Sequence, residues 1–205
     1  MNKLTLKTLV SLLAGVLLTS AAQAGSHSLV NMSRSSTQSH VFVTQAIEAE
    51  FGKYRTLGGE DESSFWKGYG IRTSAGLELM KFIQFSAGHT FVNMREKNDG
   101  LQSLRGSRLN GEAKLVFYSP VGNLEGGMGV LASRLDFQQG LEVGDYYGSG
   151  SYYSLGLNYF VTGNLSFFGG MKMIKENLVK NGGASKIENI KTDTTSLGTG
   201  FSLWL

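Results

Sequence analysis

The residues able to do chemistry in this 205-residue chain are few, and most are charges set at even spacings. Glu48 and Glu50 stand two apart, as do Glu112 and Lys114; Glu78 and Lys172 are each flanked on both sides by Leu or Met. With Arg72 and Glu125 they make five carboxylates and three cations that could meet across neighbouring segments as ion pairs. Buried pairs of this kind serve as scaffold or gate, and need a nucleophile and a base beside them to become catalytic. That addition is missing. The histidines are His27, His40 and His89, and Ser86 precedes His89 by three residues. In extended chain that spacing puts the two side chains on opposite faces, so they pair only across a bulge. There is no GxSxG, no HExxH and no phosphate-cradling glycine loop. The absence of cysteine excludes disulfides and thiolate metal sites. The acidic run Glu60-Asp61-Glu62 lacks calcium-loop spacing. Neither cofactor nor enzyme activity is expected.

The segments that carry these charges alternate. In Tyr69-Gly70-Ile71-Arg72-Thr73-Ser74-Ala75-Gly76-Leu77-Glu78-Leu79 the odd positions are mostly apolar and the even ones small or charged. Period two is the mark of a β-strand. Eight such segments are predicted, at about 40–54, 65–80, 82–95, 104–118, 123–135, 148–161, 164–177 and 190–205. Their polar faces carry Glu48 and Glu50, then Arg72 and Glu78, Glu112 and Lys114, Glu125, and Lys172. Parity sets His89 on the apolar face of the third segment, which implies a place near an interface or a local bulge.

The connections alternate too. Short turns fall near Lys81, at Ser119-Pro120-Val121-Gly122 and at Thr162-Gly163-Asn164. Longer polar connections are expected at about 54–65, 96–103, 136–147 and 178–189. Aromatics gather toward both ends: Phe51, Tyr54, Trp66, Tyr69, Tyr152 and Tyr153 toward the long connections, Phe82, Phe85, Phe117, Tyr159, Phe167 and Phe201 toward the short turns. Such clusters would form two interfacial girdles.

The same alternation fits a soluble barrel with an apolar interior. The polar faces argue otherwise, because they are dominated by Gly, Ser and Thr rather than by the charged mixture of a solvated surface. Nine of their positions (Gly70, Gly76, Gly88, Gly127, Gly129, Gly156, Gly170, Gly198 and Gly200) are glycine, as a narrow closed interior requires. The expected fold is all-β: an eight-stranded antiparallel up-and-down transmembrane β-barrel, apolar outside, with a luminal ion-pair network of Glu48, Glu50, Arg72, Glu78, Glu112, Lys114, Glu125 and Lys172.

The N-terminus reads as a cleavable signal peptide over 1–24: Lys3 and Lys7, an apolar run from Leu9 to Leu18, and Ala22-Gln23-Ala24 before the cut. A polar, serine-rich lead-in follows over 25–38, then the barrel over 39–205. The whole-chain charge of +3 includes the two signal lysines, which leaves no basis for nucleic-acid binding. Lys175, Lys180, Lys186 and Lys191 make the last connection basic and suited to lipopolysaccharide phosphates.

With leader, eight strands, alternating connections and charged interior in place, the chain resembles the small outer-membrane barrels of the OmpA, OmpX and Ail type. Its most specific piece is the last strand, where Leu197, Phe201, Leu203 and Leu205 alternate to the final residue like the segment that barrel-assembly machinery reads in that family. The family usually ends in Phe or Trp; this chain ends Trp204-Leu205. The resemblance implies a Gram-negative outer membrane, periplasmic termini, and contact with periplasmic chaperones, outer-membrane lipid and lipopolysaccharide. The expected role is structural or surface-interacting, including an extracellular ligand at the long connections. A narrow porin-like pore and a lipid A-modifying enzyme are the alternatives.

Overall fold

The computed structural model describes residues 40–57, 63–80, 82–97, 102–118, 122–139, 142–162, 164–183, 185 and 187–205. The expected signal peptide and lead-in, His27, the Glu60-Asp61-Glu62 run, Lys81, the Ser119-Pro120-Val121 part of one turn, and Lys186 lie outside them. Eight strands follow in order: β1 (His40–Leu57), β2 (Ser63–Leu79), β3 (Ile83–Glu96), β4 (Gln102–Tyr118), β5 (Asn123–Gln139), β6 (Glu142–Phe160), β7 (Leu165–Gly183) and β8 (Asn189–Trp204). Each pairs antiparallel with the next, and β8 closes on β1. One row of paired residues runs Gln45, Thr73, His89, Leu109, Ala132, Ser149, Asn177, Lys191 and returns to β1 at Arg55, ten residues above its start. That stagger on eight strands tilts them by roughly 40°.

Alternation decides facing on every strand. Val41, Val43 and Ile47 point out while Thr44, Ala46, Glu48 and Glu50 point in, and the other strands follow suit. Ile47, Leu109, Met128, Val130 and Tyr153 are more than 60 % exposed, a band that makes sense only against hydrocarbon. The aromatics Phe82, Phe85, Phe117, Phe167 and Phe201 stand on its short-turn side, and Phe51, Tyr69 and Phe91 on the other.

At the long-connection end the structure departs from the sequence expectation. Most of the predicted 136–147 connection is strand: β5 and β6 stay paired out to Gln139 and Glu142. Likewise β1 and β2 pair to Arg55 and Ser63, and β7 and β8 to Val179 and Asn189. Above the lipid band the amphipathic pattern inverts. Outward positions there face water and turn charged, and inward positions turn apolar, so a rule that seeks apolar residues outside reads these stretches as loop. Tyr54, Trp66 and Tyr152 are a second correction: they do not join the outer girdle but lie inside, 1 %, 1 % and 2 % exposed. Each occupies an inward position of its strand, and parity overrides the tendency of aromatics to gather at the interface.

The lumen is consequently closed at both ends. At the long-connection end Tyr54, Trp66, Phe137 and Tyr146 pack in sequence, with ring centroids 4.9, 6.1 and 6.0 Å apart. Val92, Met94, Leu104, Leu135, Leu178 and Ile190 complete this plug. At the short-turn end Trp204 stacks on Phe42 (4.8 Å) and Phe160 (5.4 Å) and donates its indole N–H to Ser166 Oγ at 2.8 Å. The glycines of the inner wall leave room for these rings. A Cβ on Gly76 would stand 2.3 Å from Phe42 Cζ, and one on Gly129 would stand 2.3 Å from Tyr152 Cζ.

Candidate functional site

Between the two plugs the charged residues sort into layers. The lower layer joins five strands. Arg72 Nε lies 3.0 Å from Glu48 Oε1, and Lys172 Nζ reaches the same oxygen at 3.1 Å. Arg72 continues to Glu112 at 3.8 Å; Lys114 links Glu112 (3.8 Å) to Glu125 (3.1 Å), which also accepts from Asn158 Nδ2 at 3.0 Å. Three carboxylates thus face three cations. Burial makes such neutrality necessary, since an uncompensated charge in a dry interior is costly. The Arg72 guanidinium also lies 5.5 Å from the Phe168 ring centroid, and Lys172 Nζ lies 5.1 Å from that of Tyr152.

The upper layer is separated from it by Leu131, Tyr152 and Ile174. Here Arg108 donates to both oxygens of Glu50 (2.7 and 2.8 Å) and to Glu176 Oε2 (3.0 Å). Ser133 closes the group by donating to Glu176 Oε1. The eight residues singled out by sequence therefore do not form one network. Six belong to the lower layer, Glu50 belongs to the upper one, and Glu78 sits apart, accepting from Gln84 Nε2 at 2.9 Å. Arg108 and Glu176 were missed, although parity pointed to them. Both lie at even positions of strands whose even residues face inward, but beyond the stretch where outward residues are apolar.

Cavities of about 30 and 20 Å³ remain beside the lower network, room for a water or two each. Ser86 faces in and His89 faces out, and the ladders on both sides of β3 run unbroken through Thr73, His89 and Leu109. The bulge that might have joined them is absent from these ladders; a register shift occurs at Asp145/Tyr146. No cluster of metal-binding side chains occurs among the described residues. Of the last-strand residues, Phe201, Leu203 and Leu205 are exposed on the outer face, and Leu197 is partly covered there.

A second arrangement lies on the outer wall. Directly beyond the apolar band, β1 presents Lys53 and Arg55, β2 Lys67, β3 Arg95, β4 Arg105, β5 Arg134, β7 Lys175 and β8 Lys191, all exposed. Lys53 follows Phe51 by two residues, Lys67 precedes Tyr69 by two, and Lys175 follows Met173 by two, which fixes the level of this collar. On β6 the place is taken by Tyr147, whose ring lies 5.4 Å from the Arg134 guanidinium. Lys67 and Arg95 are cross-strand partners, as are Arg55 and Lys191. Like charges set opposite one another destabilise a ladder unless an anion lies between them. Asp193, between Lys53 and Lys175, and Asp136, opposite Arg105, offset part of the charge.

No protein-family model matches the chain, and no curated protein matches its sequence. Solved structures do match. Neisserial surface protein A aligns over 80 % of this chain and 96 % of its own, at 17 % identity and a TM-score of 0.55. Ail of Yersinia pestis aligns over 79 % of this chain and 98 % of its own, at 13 % identity and a TM-score of 0.45. OprG of Pseudomonas aeruginosa aligns over 82 % and 97 %, at 12 % identity and 0.43. With eight strands closed antiparallel, an apolar exterior and a polar, plugged interior, the chain has the fold of the small outer-membrane β-barrels.

Proposed function

We propose that this chain is a non-enzymatic integral outer-membrane protein whose barrel holds outer-leaflet lipopolysaccharide at the cell surface, with its short turns and termini on the periplasmic side. The basic collar carries this reading. Seven of eight strands set a Lys or Arg at the level where the lipid phosphates of such a leaflet would lie. An anion between Lys67 and Arg95 would turn a repulsive cross-strand pair into two charge-assisted contacts. The plugged lumen supports a structural role over a conducting one, because a solute would have to displace two buried aromatic clusters. Ser86 and His89 on opposite faces support a role without catalysis.

The test is binding of the folded barrel to vesicles containing bisphosphorylated lipid A, compared with vesicles of dephosphorylated lipid A. Each basic side chain near an anionic surface contributes about 1 kcal/mol. Lys67→Gln with Arg95→Gln should therefore weaken binding by roughly thirtyfold and flatten its salt dependence. Equal binding to the two vesicle types, or no change in the double variant, would overturn the assignment.

A further inference from the structure

Two depressions in the outer wall meet at one residue. The first lies within the apolar band, centred on β4. Its floor is a paired row of small residues, Ala75, Ala87 and Gly111, and a Cβ on Gly111 would have nothing within 4 Å. Phe85, Met128 and Tyr153, all exposed, belong to the next row toward the short turns and bank it on that side. The recess has a volume of about 670 Å³ and extends past Val130 to Ser151 on β6.

The second depression, of about 440 Å³, takes over at Ser151 and lies on β6 to β8 beside the collar lysines. Two paired rows form it: Ser151, Lys175 and Asp193, and beyond them Ser149, Asn177 and Lys191. Among the described residues none of these six side chains has a hydrogen-bond or ion-pair partner. One row therefore runs through both depressions, from Ala75 through Ala87, Gly111, Val130, Ser151 and Lys175 to Asp193. It climbs about 3 Å per strand at this tilt, which sets Ala75 about 12 Å nearer the short turns than Ser151. That drop fits within the ~15 Å of hydrocarbon in one leaflet.

We infer that the two depressions are one site for a phosphorylated glycolipid, with an acyl chain in the apolar groove and the phosphorylated sugar in the polar recess. Lys175 and Lys191 take the phosphate. Ser149, Ser151 and Asn177 can donate to and accept from sugar hydroxyls, whereas Asp193 can only accept. Its carboxylate repels a bare phosphate but suits a hydroxyl or amide N–H beside one. The groove adds little hydrophobic energy, because a chain elsewhere in the bilayer is equally dry. It adds contact, and it holds the chain in line with its headgroup. The inference rests on the lipopolysaccharide reading for the leaflet and the lipid class, but it uses neither Lys67 nor Arg95.

Native mass spectrometry of the folded barrel tests the site, with bisphosphorylated lipid A offered among an excess of phosphatidylethanolamine and phosphatidylglycerol. The expected result is one lipid A retained per barrel. Lys175→Gln with Lys191→Gln should reduce that species by roughly thirtyfold, at about 1 kcal/mol per cation. Gly111→Leu puts a side chain into the groove and should reduce it by about fivefold, as should Ala87→Leu on the same floor. Gly169→Leu, equally open but on β7, should leave it unchanged. Heat-modifiable gel mobility confirms that each variant is folded. Retention of a phospholipid in place of lipid A, or equal retention by the Gly111 and Gly169 variants, would overturn the site. Vesicle binding that still depends on Lys67 and Arg95 would then keep the lipopolysaccharide reading standing, so the two fail separately.

Discussion

Arg108 offers the sharpest test of the luminal architecture. Its guanidinium makes three contacts of 2.7 to 3.0 Å with Glu50 and Glu176, and the two carboxylates are 1 % and 0 % exposed. Arg108→Met keeps much of the side-chain length and removes the charge, so packing changes little while two buried carboxylates lose the ion-pair partner they share among the described residues. Removing one member of a buried pair costs about 3–5 kcal/mol. With two acceptors stranded, the loss belongs at the upper end of that range, about 5 kcal/mol. Replacing both carboxylates as well, with Glu50→Gln and Glu176→Gln, leaves neutral amides that can bond to each other and to Ser133. Neutral replacement of a whole buried triad is often tolerated, so the triple variant should recover most of the loss. Arg108→Lys should fall between, because an ammonium cannot take Glu50 in two-pronged fashion. Equilibrium urea unfolding of the barrel in phospholipid vesicles measures all four proteins, with Trp66 and Trp204 as buried fluorescent reporters at opposite ends. A single variant within about 1 kcal/mol of the parent would refute the buried-triad argument, as would a triple variant no more stable than the single.

Other outcomes follow from the same geometry. Gly129→Val should lose about 1–3 kcal/mol in that unfolding assay, because the new side chain meets the Tyr152 ring. Gly111→Val should change monomer stability by no more than about 0.5 kcal/mol, because open space lies outside it. Trp204→Ala should cost about 3–5 kcal/mol, since it empties the centre of the lower plug. In planar bilayers the parent should show no discrete conductance steps; stable steps would contradict a lumen closed at both ends. Expression should leave lipid A masses unchanged, with or without His89→Ala, and a shifted mass abolished by that substitution would restore the enzymatic alternative.

How far the sequence could be read depended on where each residue sits relative to the lipid. Inside the band, the medium outside is hydrocarbon and the interior is narrow. Val43 against Thr44, or Leu77 against Glu78, then tells facing directly. Six of the eight charges singled out on that basis share one network. Beyond the band both media change roles, and the signal reverses. Leu135 and Phe137 point in while Arg134 and Asp136 point out, the pattern of a water-soluble barrel, and a rule tuned to lipid mistakes them for loop. Arg108 and Glu176 fell at this crossover. Trp66 and Tyr54 misled for a related reason: aromatics near a strand end suit an interface, but parity had already turned them inward. The pairing partners themselves were not legible. Which cation meets which carboxylate depends on the ten-residue stagger, a property of closure that no single strand records.

The lower ionic layer has a consequence for how the chain enters a membrane. Lys172 and Glu48 are separated by 124 residues, and the Thr44–Ser202 contact spans 158. Neither contact can form until the last strand has met the first. An open, partly inserted sheet would expose Glu48, Arg72 and Glu112 to acyl chains with no counter-charge from β7. Insertion is then favoured as a single act: the edges join in a wet, sheltered place, and the charges go dry together. Neutralising the lower layer would, by the same logic, lower the cost of an unfinished barrel in lipid.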